Sequence, residues 1–213
     1  MGEKLIENLK SLAVALILAL IIRTFIVQSF HIPSGSMIPT LLVGDFILVD
    51  KVTYHFRPIE RGDVVVFHFP LNESVYYIKR VIGLPGDRVQ VKGGILYVNG
   101  KPCKYQHLGK YTYYENGEKH TGELYYEFLP KKRGGFKKHY ILKTGIQGDN
   151  TPVYVVPKGK YFMMGDNRNN SYDSRYWGFV SRKEIVGIAR IVFFSWDSEK
   201  HMPRFGRIFH LIN

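Results

Sequence analysis

The chain opens on one long apolar pattern and then breaks into short apolar runs separated by turn residues. Ser11 to Ile22 is uncharged and apolar, Arg23 interrupts, and Thr24 to Phe30 resumes. The first run alone is shorter than the ~20 residues a bilayer core requires, whereas 11–30 reaches that length with Arg23 snorkelling. The pattern predicts one membrane-spanning helix over 11–30 after a short N-terminal segment, 1–10. A removed leader is disfavoured, because the bulky Arg23-Thr24-Phe25-Ile26-Val27 offers no small-x-small cleavage site. A buried soluble helix is the other reading. Lys4 and Lys10 are offset by Glu3 and Glu7, so the flanking charges do not orient the helix.

After this segment the period shortens. Strands are predicted at Asp45–Val52, at Val64–Phe69 between Gly62-Asp63 and Pro70, and at Tyr76–Ile82 before Gly83-Leu84-Pro85-Gly86-Asp87. Arg88–Lys92 and Ile95–Val98 flank Gly93-Gly94 as a hairpin. Val153–Val156, Tyr161–Met164 and Ile185–Phe194 complete the set. From about Lys104 to Thr151, Tyr, Lys and Gly dominate, and apolar alternation stays weak until Tyr140-Ile141-Leu142. This stretch reads as an inserted β-rich subdomain, 104–151. Its charges, Lys131-Lys132-Arg133 among them, are read as a solvated face, with lipid headgroups as a second option. The expected fold is thus mainly β, with a main domain built from 31–103 and 152–213.

Composition narrows the picture. Aromatic residues at 15% of the chain suit strands. A net charge of +12 fits nucleic acid, an anionic membrane surface or solvated lysines. No compact basic helix, zinc-finger spacing or aromatic RNA-binding motif occurs, so membrane lipid is the expected partner and nucleic acid is not. Cys103 is the single cysteine, which rules out an intramolecular disulfide; after Asn99-Gly100-Lys101-Pro102 it reads as a loop residue. His-Glu-x-x-His and paired cysteines are missing, so no metal or other cofactor is expected.

Three segments carry chemistry. Ser36 lies in Pro33-Ser34-Gly35-Ser36-Met37-Ile38-Pro39-Thr40, where two prolines of fixed φ bracket a tight turn close to the apolar segment. Lys79 lies in Tyr76-Tyr77-Ile78-Lys79-Arg80-Val81-Ile82 among side chains able to dehydrate its amine. A dehydrated lysine can serve a serine as base, which requires its pKa to fall by about three units from ~10.4. The ordinary alternative is an edge lysine in water. Period two puts Tyr77, Lys79 and Val81 on one face, with Ile78, Arg80 and Ile82 on the other. The third segment, Gly165 to Gly178, is a polar loop between apolar strands, which either shapes a site or is a solvated turn with its Asp and Arg paired. A Ser-His-Asp triad using His31, His55 or His68 with Asp173 competes, but no Gly-x-Ser-x-Gly elbow is present.

Taken in order, Pro33–Leu41, Tyr77–Asp87 and Gly165–Val180 resemble the boxes of bacterial type I signal peptidases, Ser/Lys membrane proteases. The resemblance implies a signal-peptidase-like β domain and an endopeptidase that removes signal peptides from exported preproteins. It implies Ser36 as nucleophile, Lys79 as general base, and the Ser36 N–H with the Ser34 hydroxyl as oxyanion hole. Ser171 would orient the Lys79 amine, and Asp173 and Arg175 would pair to hold the loop. Ile32, Met37, Leu41, Tyr77 and Ile78 would line shallow pockets for small side chains at the −1 and −3 positions of the preprotein. The implied location is the bacterial cytoplasmic (inner) membrane, single-pass, with the catalytic domain on the outer, periplasmic side. Asn169 departs from the Asp usual in that loop, so altered loop stability is expected. Two other functions fit less of the chain: a self-cleaving Ser/Lys repressor-type protease, and a non-enzymatic anchored basic β-domain that binds lipid or nucleic acid. Ser36 lies six residues beyond Phe30, about 20 Å at full extension, so the nucleophile would stay close to the bilayer.

Overall fold

A computed structural model describes residues 2–21, 26–115, 117–145 and 150–213. Arg23, expected to snorkel, lies outside the described residues. The chain starts in a helix, α1 (Gly2–Ile21). Its side chains Leu9, Leu12, Val14, Leu16, Ile17 and Leu20 are exposed. Among the described residues no helix is long and apolar enough to cross a membrane. Two features explain this. The first half of α1 carries Glu3, Lys4, Glu7 and Lys10, and Val27–Phe30 at the distal end of the predicted span is strand. Val27–His31 is a strand, β1, paired antiparallel with β2 (Asp45–Asp50) through Phe30↔Ile47. The predicted span of 11–30 is therefore corrected at its end: Gln28 and Ser29 are polar, and the backbone of Val27–His31 bonds across to β2 instead of within a helix.

The main sheet also contains β3 (Val64–Phe69) and β4 (Asn72–Gly83). A four-stranded sheet follows in sequence: β5 (Arg88–Lys92), β6 (Ile95–Val98) and β7 (Lys101–Pro102), joined later by a short return strand. Next come β8 (Lys104–Glu115), β9 (Glu118–Pro130) and β10 (Phe136–Lys143), a three-stranded sheet of their own. The return strand is β11 (Tyr154–Val155), and β12 (Lys160–Met164), β13 (Val180–Ser181) and β14 (Ile185–Asp197) go back to the main sheet. Its order is β1-β2-β14-β3-β4-β12-β13. The hairpin β5–β6 turns at Gly93-Gly94 as predicted, both with positive φ, where a side chain would be strained. Cys103 is buried in the apolar cluster under this sheet, and burial pushes its thiol up to about 12, so it is unsuited to be a nucleophile.

Continuous apolar runs report burial on both faces, and β3 illustrates it. Val64 and Val66 pack into one cluster with Ile47, Val49 and Ile78, while Val65 and Phe67 pack into another with Val81, Met163 and Ile188. β4 is exposed from Asn72 to Tyr76 and buried from Ile78 onward. Lys79 and Arg80 therefore both lie in the doubly covered half of the strand. β12 accompanies β4 only as far as Met164↔Arg80. At Gly165 the chain leaves the ladder, and the edge of the sheet beside Lys79 is taken by that loop and by the Ser36 turn.

Candidate active site

Ser36 sits in a single 3₁₀ turn, Gly35–Met37, between the expected prolines. The turn is held from behind by the Gly165–Gly178 loop. Asn167 N donates to Ser36 O (3.1 Å), and Asn167 Nδ2 donates to Gly35 O (3.1 Å). Gly165 permits this approach, because a Cβ there would lie 2.4 Å from Ser36 O and 2.3 Å from Ser171 Oγ.

Lys79 Nζ lies 2.7 Å from Ser36 Oγ and 2.9 Å from Ile78 O. Its residue is 4% exposed. Burial pulls the Lys79 pKa down from 10.5 to about 8, against the opposing pull of Asp173 and Asp166 and with help from Arg175. The solvated-lysine alternative is thereby excluded. Ser34 Oγ is 3.3 Å from Ser36 Oγ. Among the described residues no histidine joins them: His68 Nδ1 meets Glu73 O (2.6 Å), and the His31 and His55 rings pack on Phe46 and Tyr54.

The loop is not a solvated turn. Asp166, Asn167, Asp173 and Ser174 are fully buried. Asp173 and Arg175 pair as expected, Nε to Oδ1 at 2.8 Å, and Asp173 Oδ2 accepts from Gly165 N (3.0 Å). Ser171 differs from expectation. Among the described residues its buried hydroxyl has no hydrogen-bond partner, so its contact with the Lys79 amine is not made. Asn169 Oδ1 accepts from Thr144 N (3.0 Å), so the amide oxygen takes a bond that a carboxylate could also accept.

A cleft of about 380 Å³ opens over the two residues, lined by Pro33, Ser34, Ser36, Tyr77, Ile78 and Lys79 on its near walls. Ile32, Met37 and Leu41 do not line it: they pack with Ile47, Val49 and Val192 in the core beneath. Ile32 follows directly on β1 and Met37 closes the 3₁₀ turn, and from both positions the side chain is directed into the core and away from the opening.

The sequence reading missed the charges that organise the site. Arg80 Nε and Nη2 clasp Asp166 Oδ1 and Oδ2 (2.8 and 2.7 Å), and Arg80 Nη1 donates to Gly62 O (2.8 Å). Arg168 similarly clasps Glu127 of β9 (2.7 and 2.5 Å). His139 of β10 lies between the two pairs, 3.3 Å from Glu127 and 3.9 Å from Asp166. Burial would raise the Asp166 and Glu127 carboxyls, but Arg80 and Arg168 outweigh it and hold both below the usual carboxylate range. The backbone closes the same junction, with Leu142 N donating to Asp166 O (2.8 Å) and Arg168 N to Leu142 O (2.9 Å). The charges of segment 104–143 are therefore only partly a solvated face. An Arg inside an apolar strand was the available signal, since a buried guanidinium demands a carboxylate.

A lysine amine desolvated against a serine hydroxyl at the floor of a cleft is the arrangement of a serine hydrolase with a lysine base. The family described as "Signal peptidase, peptidase S26" matches residues 5–196. This chain belongs to that family. It is 42% identical to a signal peptidase I of Pseudomonas fluorescens, over 96% of this chain and 78% of the relative. A signal peptidase I of Pseudomonas aeruginosa gives the same identity and coverage. One from Aquifex aeolicus is 37% identical over 89% of this chain and 84% of its own.

Proposed function

We propose that this chain removes signal peptides from exported preproteins through an acyl-enzyme, with Ser36 as nucleophile and Lys79 as general base. The observation that carries the reading is the 2.7 Å separation of Lys79 Nζ and Ser36 Oγ in a dehydrated setting. With the amine neutral, the Ser36 hydroxyl donates to its lone pair. As Oγ bonds to the carbonyl carbon at −1, the proton passes to Lys79 Nζ. The oxygen that becomes negative is met by the Ser36 N–H and the Ser34 hydroxyl. Lys79 then returns the proton to the departing amine as the peptide bond breaks. In the second half a water gives its proton to Lys79 and attacks the ester; Lys79 passes that proton to Ser36 Oγ as the ester C–O bond breaks, which restores the hydroxyl and the neutral amine and releases the signal peptide as a carboxylic acid that ionises in water.

Tyr77 and Ile78 in the cleft support small side chains at −1 and −3, since bulk there meets ring and branched carbon. The exposed apolar side chains of α1 support attachment to a membrane, where they would leave water. A single-pass topology with the β domain on the outer side fits a substrate whose cleavage site emerges from the bilayer.

The test is incubation of the full chain in detergent with a purified preprotein, followed by N-terminal sequencing of the product. Cleavage at one bond after a small residue is expected. An intact preprotein, with the chain folded by circular dichroism, would exclude this function.

A further inference from the structure

The Gly35 peptide, next to the nucleophile, is gripped at both ends. Its carbonyl accepts from Asn167, and its N–H donates to Glu115 Oε1 at 2.7 Å. The second oxygen of Glu115 accepts from Asn170 Nδ2 (3.1 Å). Glu115 comes from none of the three segments in which the chemistry was sought. It stands at the end of β8, and its carboxylate forms part of the far wall of the cleft.

The hairpin that delivers Glu115 is itself fixed. Two residues earlier on β8, the Tyr113 hydroxyl accepts from Asn167 Nδ2 (3.0 Å), and past the tip Gly117 N donates to Glu199 Oε1 (3.2 Å). The carboxylate is thus placed by a braced arm and not by a free side chain on a free loop. Its target needs bracing, because glycine has the widest backbone freedom of any residue. A Cβ at Gly35 would lie 2.7 and 2.8 Å from the two Glu115 oxygens, so a side chain there would displace the carboxylate from its present place. A carboxylate accepting a backbone N–H is also among the stronger hydrogen bonds.

We propose that Glu115 is a positioning residue: by fixing the Gly35 peptide it sets the direction of the Ser36 hydroxyl toward Lys79. This gives the β8–β9 arm a task in the reaction, and it rests on the Ser36–Lys79 assignment above. Glu115 transfers no proton, so its loss should lower turnover with little effect on substrate binding.

The experiment compares preprotein cleavage by the full chain in detergent for wild type, Glu115→Ala, Glu115→Met and Glu115→Gln, with Ser36→Ala as control. Melting curves accompany each, and the longer Met separates loss of the acceptor from loss of bulk. Glu115→Ala and Glu115→Met should lose about 10- to 100-fold in kcat, the usual consequence of misplacing a reacting atom by an ångström. KM should stay within about 2-fold, as expected for an interaction that orients and does not bind. Glu115→Gln keeps an oxygen for Gly35 N, and should recover to within about 5-fold of wild type. Unchanged kcat in the Ala and Met variants overturns the proposal, whether or not melting falls. Faster turnover overturns it too, since Glu115 would then be an obstruction, and so does a Gln variant no better than Ala. Processing by Ser36→Ala would instead remove the assignment on which the proposal rests.

Discussion

Replacing Lys79 by Ala should lower preprotein cleavage by about 10²- to 10⁴-fold, the range spanned by a positioned general base. Ser36→Ala should fall by ~10⁴-fold or more, because the covalent route goes with the hydroxyl. Lys79→Arg should be as inactive as Lys79→Ala although it keeps a cation, since a guanidinium stays protonated and cannot accept the serine proton. That variant separates a base from a positive charge merely needed in the site. The double variant Ser36→Ala/Lys79→Ala should be no worse than Ser36→Ala alone, because the two act as one unit. Initial rates measured on folded protein check all four, and an active Lys79→Arg would contradict the assignment.

The second large effect concerns folding. Arg80 is fully buried, and its bidentate hold on Asp166 ties the Lys79 strand to the loop that grips the Ser36 turn. Truncating Arg80 to Ala leaves Asp166 without its guanidinium in a site closed to water, retaining the short bond from Thr40 Oγ1 (2.5 Å). Removing one partner of a buried pair costs about 3–5 kcal/mol. For a chain of this size that lowers the melting temperature by roughly 10 °C. Replacing both partners by apolar residues of similar volume, Arg80→Met with Asp166→Leu, should recover most of the stability. Thermal unfolding by circular dichroism decides it. Equal melting for wild type and Arg80→Ala would show that the pair does not hold the sheet to the loop.

Much of this site was legible because its residues break local rules. A lysine and an arginine in a run of Tyr, Ile and Val, and a serine framed by prolines, stand out as exceptions to the patterns around them. Val64 to Phe69 was equally plain, as its unbroken apolar run matches a strand covered on both faces. Less could be read where the information is long-range. Alternation puts Arg80 on the opposite face from Lys79 but does not point to Asp166, which lies 86 residues further along the chain. The resemblance implies Ile32, Met37 and Leu41 as cleft residues, yet their side chains lie in the core. The arm of β8, β9 and β10 was recognised as β-rich, but its long strands were hidden by Tyr and Lys that serve one wet and one packed side. Glu115 and Glu127 look like any other acidic residue of that stretch, and their roles follow only from where the hairpin lands.

The central claim is that a neutral, buried lysine activates Ser36, and the pH dependence of kcat/KM on a preprotein tests it most directly. Lys79 titrates at about 8 in the folded chain, against 10.5 when solvated. The reactive form is the deprotonated one, so the sign is fixed: activity rises with pH. Below about pH 8 the rate should fall close to tenfold per unit, and above it the rate should level off. A limb centred near 6.5 would indicate a histidine base. A limb near 10.5 would mean a lysine still in water, and either result would contradict the account.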